Sequence, residues 1–169
     1  MLRIRELAEL ARKLDVHAFE EQMGPFALMQ RPIPESLKTK SARGWDLKTA
    51  PLPAVSVKGP AIPVEFEQLL VATLPPPAPD GTLQLIIGRS PECDLVLDDP
   101  ASSQKHAAIR WDGKCGVVQE LGSSNGTFLN GIKLGMYAAL RTGDDIAFGR
   151  SHFIYLLTPE LHARLLRLK

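Results

Sequence analysis

The chain has 169 residues, 44% of them hydrophobic and 23% charged, with 20 Lys and Arg against 19 Asp and Glu. That is enough for one packed domain with an appendage, and the composition excludes wholesale disorder. A net charge of +1 excludes a sequence-independent nucleic-acid binder, which needs a cationic excess to displace counterions from phosphates.

From Leu2 to Met23 the apolar residues Leu7, Leu10, Ala11, Leu14, Ala18 and Phe19 recur at three- and four-residue steps between charges. The pattern predicts an amphipathic helix over 1–24, stopped by Gly24-Pro25. Its apolar face needs a cover, either its own domain or a second chain, so self-association is one of two readings. The charges at Arg3, Arg5, Glu6, Glu9, Arg12 and Lys13 break up any apolar run typical of a signal peptide. With no membrane-length apolar stretch, the expected location is the cytoplasm and no membrane partner is expected.

Residues 25–63 are read as a linker, because Pro32, Pro34, Pro51, Pro53, Pro60 and Pro63 fix φ and withhold amides. Val64 to Thr73 reads as a short element, strand or helix. Pro75 to Pro79 leads into the Asp80-Gly81 turn. Short β-rich runs then alternate with turn residues: 83–87, 95–97, 107–111, 116–120, 127–129, 137–140, 145–148 and 152–157. Runs this short, punctuated by Gly, Asn and Asp, predict a mainly β chain built as an antiparallel sandwich over 64–158. Leu161, Leu165, Leu166 and Leu168 predict a closing helix over 159–169.

Polar clusters fall at the ends of these runs, where a sandwich presents its loops. They are Gly88-Arg89-Ser90, Ser103-Gln104-Lys105-His106 and Gly122-Ser123-Ser124-Asn125-Gly126-Thr127, followed by Gly143-Asp144-Asp145. In order and spacing they resemble the forkhead-associated family, over about residues 82–157. The resemblance implies a β-sandwich of up to eleven strands whose loops at one end bind phosphothreonine peptides. It assigns peptide or phosphate contact to Arg89, Ser103, Gln104, Ser124 and Asn125, and support of the site to Gly88, His106, Gly126 and Thr127. Gln104 stands where the family often has a second cation or an asparagine. Gly81 to Gly88 is short for the family's two early strands, so Val64 to Thr73 is expected to supply one.

The residue types suit that chemistry on their own terms. A phosphothreonine brings about two negative charges at neutral pH and three acceptor oxygens. Arg89 offers a planar fork that can bond two of them, Ser103 and Ser124 offer hydroxyl donors, and Asn125 offers a donor and an acceptor to an extended main chain. The expected function is therefore a phosphothreonine-dependent binding module in Ser/Thr kinase signalling, without a cofactor. Its partner would be a Thr-phosphorylated protein such as a kinase or a kinase substrate. A phospho-independent interaction or oligomerisation scaffold is the alternative. A hydrolase ranks far below, because Ser103 and His106 lack a nucleophile elbow and an orienting acid. The vicinal pairs Asp98-Asp99 and Asp144-Asp145 read as solvated or as caps of nearby amides, and Cys93 and Cys115 as reduced thiols without metal-ligand spacing. Since every motif residue lies beyond Ile87, residues 1–63 are expected to be dispensable for binding.

Overall fold

In the computed structural model the described residues are 2–31, 70–72 and 74–168. Residues 32–63, the greater part of the linker read over 25–63, lie outside them. The N-terminal period resolves into more than one helix. After the two-residue strand β1 (Leu2–Arg3), α1 runs Ile4–Lys13 and α2 runs Val16–Met23. The break falls at Asp15, whose carboxylate accepts from the His17 and Ala18 amides at 2.9 Å and so caps a new helix.

Phe26–Gln30, which the sequence places in the linker, is strand β2. Gly24, at φ 80°, turns the chain from α2 into it. The remaining strands are β3 (Leu70–Val71), β4 (Leu83–Gly88), β5 (Leu95–Val96), β6 (Ala107–Trp111), β7 (Gly116–Glu120), β8 (Thr127–Leu129), β9 (Ile132–Lys133), β10 (Tyr137–Ala139), β11 (Asp145–Phe148) and β12 (Ser151–Leu157). Helix α3 (Thr158–Leu165) closes the chain, with Pro159 in its first turn.

The strands form two sheets, one of seven in the order β1-β3-β2-β12-β11-β8-β9 and one of five in the order β10-β7-β6-β4-β5. All pairs are antiparallel except β4 with β5, which is parallel. The early strands that 81–88 is too short to hold therefore come from two places. Val64 to Thr73 supplies β3, and the segment after α2 supplies β2.

Alternation along β2 shows what the sheets bury. Phe26 and Leu28 face the five-stranded sheet and join Leu85, Ile87, Ile109, Val118, Ile146, Phe148, Phe153 and Tyr155 in the core between the sheets. Ala27 and Met29 face the other way and join Val71, Ile154 and Leu156 under Ile4, Leu7, Ala11, Phe19, Leu161 and Leu165 of the three helices. The seven-stranded sheet is thus covered on both faces, by a sheet and by a helical layer. His162 on α3 bonds the Ala11 and Leu14 carbonyls at 3.1 and 3.0 Å, tying α3 to the end of α1.

Register places one end of the seven-stranded sheet. Gln30 pairs with Phe153, Ser151 with Phe148, and Phe148 with Thr127. The C-terminal end of β2, the β11–β12 turn and the loop entering β8 therefore share that end. Ser102 Oγ donates to the Phe148 carbonyl at 3.1 Å and brings the loop before β6 to the same end.

Candidate functional site

Arg89, Ser103, Ser124 and Asn125 meet at this end, with Gly88, Gln104, His106, Gly126 and Thr127 in or under the same loops. Gly88 is the last residue of β4, and a Cβ there would overlap the Gln104 carbonyl. Only glycine lets the 103–105 backbone approach so closely. The approach zips the two loops together: the Arg89 amide donates to the Ser103 carbonyl at 2.9 Å and the Ser90 amide to the Gln104 carbonyl at 3.0 Å. Arg89 is exposed, and its Nε donates to the Ser102 carbonyl at 3.3 Å. That bond orients the guanidinium, and its terminal nitrogens have no partner among the described residues.

Ser103 and Ser124 sit side by side. The Ser124 amide donates to Ser103 Oγ at 2.9 Å, and the two hydroxyls lie 3.5 Å apart. Exposed Asn125 donates from its side-chain amide to the Ala101 carbonyl at 2.7 Å. That bond fixes the amide plane and leaves the side-chain carbonyl and the second N–H outward. Gln104 is exposed and enters the bonding through its backbone carbonyl, which also accepts from Cys93 Sγ at 3.1 Å.

His106 holds the two loops from below. It is fully buried, its Nδ1 accepts from the Ser103 amide at 3.1 Å, and its Nε2 lies 3.2 Å from the Gly126 carbonyl. The two partners require the neutral tautomer with hydrogen on Nε2. Burial pushes its pKa below the ordinary histidine value, against the Gly126 carbonyl and the charges of Glu120 and Asp99. Below about pH 6.5 the unfolded chain therefore takes up a proton that the folded one resists. Stability contributed above that pH is lost as pH falls toward the depressed folded value. Thermal melts between pH 7.5 and 5 should show this loss, and His106→Gln, less stable throughout, should show a shallower slope. A folded-state imidazole titrating at or above 6.5 by NMR would contradict it.

Two carboxylates that the sequence reading gave no place in the site build the loops. Glu120, the last residue of β7, accepts from the Ser123 amide at 2.5 Å and the Thr127 amide at 2.8 Å, so the loop 121–126 closes over it. Burial acts to raise its pKa, but the hydrogen bonds from Thr127 and Ser123 outweigh that and hold it below the ordinary glutamate value. Gly126, at φ 84°, completes the turn against the stem of Lys133. Asp99 is buried and accepts from the Ala101 amide at 2.9 Å, the Arg150 amide at 2.6 Å and Arg150 Nε at 3.2 Å. It is one of the amide caps the sequence allowed, and it staples the Ser103 loop to the β11–β12 turn.

The arrangement presents one aimed cation, two adjacent hydroxyls and one aimed carboxamide at the surface. Such a set suits a multiply charged oxyanion carried on an extended chain. Among the described residues no group of three or more His, Cys, Asp or Glu is placed to hold a metal ion.

A family model described as the FHA domain matches residues 85–149. The glycogen accumulation regulator GarA of Mycolicibacterium smegmatis is 36% identical over 73 residues, 43% of this chain and 46% of that protein. The oxoglutarate dehydrogenase inhibitor of Corynebacterium efficiens is 38% identical over 72 residues, 43% of this chain and 50% of that protein. The chain spans about half the length of the curated relatives it matches. Among solved structures, the FhaA FHA domain complexed with the intracellular domain of Rv3910 is similar at 36% identity and a TM-score of 0.41, over 43% of this chain and 78% of that one.

Proposed function

The chain carries a forkhead-associated domain over residues 85–149, and we propose that it is a phosphothreonine-dependent protein-binding module, an adaptor in Ser/Thr kinase signalling. The observation that carries the reading is the aimed guanidinium of Arg89. Its Nε is held by the Ser102 carbonyl, and the loop it joins carries Ser103, whose hydroxyl lies against Ser124. In this reading Arg89, Ser103 and Ser124 take the phosphate, Asn125 takes the peptide main chain, and Gln104 lines the approach. Gly88, His106, Gly126 and Thr127 hold the loops in place. The partner is a Thr-phosphorylated protein, a kinase or a kinase substrate.

We read the chain as a binder and not an enzyme, because His106 spends both ring nitrogens on the backbone and has none left to activate Ser103. The scaffold alternative relied on a free apolar face of the N-terminal helix. Leu7, Ala11 and Phe19 instead bury that face in the same chain. A cytoplasmic setting fits the two free thiols, Cys93 and Cys115. Among the described residues no helix is long and apolar enough to cross a membrane.

Calorimetric titration with a phosphothreonine peptide library and its unmodified counterparts tests the proposal. Binding should require the phosphate, and equal binding of phosphorylated and unmodified peptides would overturn it.

A further inference from the structure

Beyond the phosphate-facing loops, one surface feature has no role in the fold. Leu121, Met136 and Tyr137 are 38%, 66% and 69% exposed, three of the six large hydrophobic residues left exposed among those described. They lie at one end of the β7–β10 pair: the Glu120 amide donates to the Met136 carbonyl at 2.8 Å, Tyr137 pairs with Gln119, and Leu121 follows Glu120, so by alternation Leu121 and Tyr137 share one face of the sheet and Met136 the other. Tyr137 belongs to β10, the edge strand of the five-stranded sheet.

Among the described residues no strand pairs with the outer edge of β10. The Glu120 amide bonds the Met136 carbonyl and the Leu140 amide bonds the Gly116 carbonyl, both at 2.8 Å, so residues 136 and 140 turn their backbone groups toward β7. By alternation Tyr137 and Ala139 turn theirs away from the sheet. The described part of β10 carries neither a proline nor a charge to blunt that edge.

The patch is continuous with the candidate site. Glu120 bonds Met136 through its amide and the Ser123 and Thr127 amides through its carboxylate. Leu121 and Ser124 are three positions apart, a span of at most about 11 Å. Tyr137 lies opposite Gln119, five positions from Ser124, so an extended peptide seated on Ser124 and Asn125 reaches β10 within about five or six residues.

We infer that the phosphorylated partner continues past its phosphothreonine as an extended segment that adds to the edge of β10. Its Tyr137- and Ala139-facing amides pair with those residues, and its alternating apolar side chains lie on Tyr137 and Leu121 on one face of the sheet and on Met136 on the other. This rests on the phosphothreonine reading and adds a second recognition element to it. The partner is thereby narrowed to a segment with β-branched or aliphatic residues beside the phosphothreonine and no proline there.

The test uses the full chain and three phosphothreonine peptides. One has two residues on either side of the phosphothreonine; the others extend it by six Val- and Leu-rich residues at the N- or C-terminal end. One extension should tighten binding about tenfold, the size expected of two backbone hydrogen bonds with some apolar burial. Ala139→Pro removes only an outward amide and should erase that gain while leaving affinity for the short peptide unchanged. Met136→Ser with Tyr137→Ser should reduce the gain without altering the backbone. Equal affinity for short and extended peptides, or a gain that survives Ala139→Pro, overturns the inference. So does self-association of the free chain that Ala139→Pro abolishes, since the edge is then occupied by a second copy. The short peptide's dependence on its phosphate reports separately on the underlying reading, and failure of the short peptide to bind overturns both.

Discussion

Arg89→Ala should lower affinity for phosphothreonine peptides about 100-fold and leave the fold intact. Hydrogen bonds to a charged group contribute about 1.5–3 kcal/mol each, so removing a two-bond fork costs on the order of 3 kcal/mol. The side chain is exposed and outside both cores, and its one bond within the described chain is from Nε to the Ser102 carbonyl. The Gly88 approach and the Arg89 amide bond to Ser103 do not involve it, so the loops keep their places. Ser103→Ala should cost less in binding, since a neutral donor is lost and not a cation. It also removes the acceptor of the Ser124 amide, so part of its effect is loosening of the 122–126 loop. Asn125→Ala should weaken all peptide sequences alike, because in the proposed role its outward groups bond the peptide main chain. Calorimetry with circular dichroism on each variant provides the check. A folded Arg89→Ala that binds like the parent would remove the basis of the proposed function.

A chain beginning at Ile62 should fail to fold, against the expectation from motif positions that everything before residue 63 is dispensable. The shortened chain loses β2, which pairs with β12 over five residues, from Phe26 with Leu157 to Gln30 with Phe153. Phe26 and Leu28 are fully buried in the inter-sheet core, and burying such side chains contributes about 1.5–3 kcal/mol each. Removing them also strips the cover from Ile154 and Leu156, which Ala27, Met29 and the helices shield. Together these losses reach the whole stability of a typical domain, about 5–15 kcal/mol. Circular dichroism and dispersion of the amide NMR spectrum decide it, and a cooperative melt close to that of the full chain would contradict it. Adding a peptide of residues 1–31 in trans should restore part of the fold.

The contrast between these two predictions shows what the sequence made legible. The site loops announced themselves because their chemistry is local: Gly88-Arg89, Ser103 to His106 and Gly122 to Thr127 are contiguous, and the structure brings all three together. The strands between them are short β-rich runs bounded by Gly, Asn and Asp, and the sequence locates them to within a residue or two. Strand β2 was not legible, because Phe26, Ala27, Leu28 and Met29 are buried on both faces and show no alternation. It also follows Gly24-Pro25 and precedes Pro32 and Pro34, which read as linker. Strand β9 was lost for the opposite reason: its two residues, Ile132 and Lys133, are exposed and too few to carry a period. Glu120 is not legible as a site residue because its role is defined by the Ser123 and Thr127 amides it reaches after folding, and for Asp99 only the capping of a nearby amide is readable, not the link to Arg150. The available signal was a carboxylate at the end of a strand directly before a Gly- and Ser-rich turn.

The separation of β2 from β3 has a kinetic meaning. Gln30 and Leu70 are paired neighbours in the sheet yet have 39 residues between them along the chain, where a short hairpin turn would serve the same pairing. Loop-closure entropy grows as the logarithm of length, so bringing these ends together costs roughly 2 kcal/mol more than closing a four-residue turn. Contacts of such sequence separation form late, after local hairpins have reduced the search. The strands from β6 to β12 are joined by short turns and can assemble first, leaving β12 as the template on which β2 and then β3 dock. Chaperone dependence and proteolytic sensitivity of the newly made chain should therefore concentrate in the interval when β12 is formed and β2 has not yet arrived.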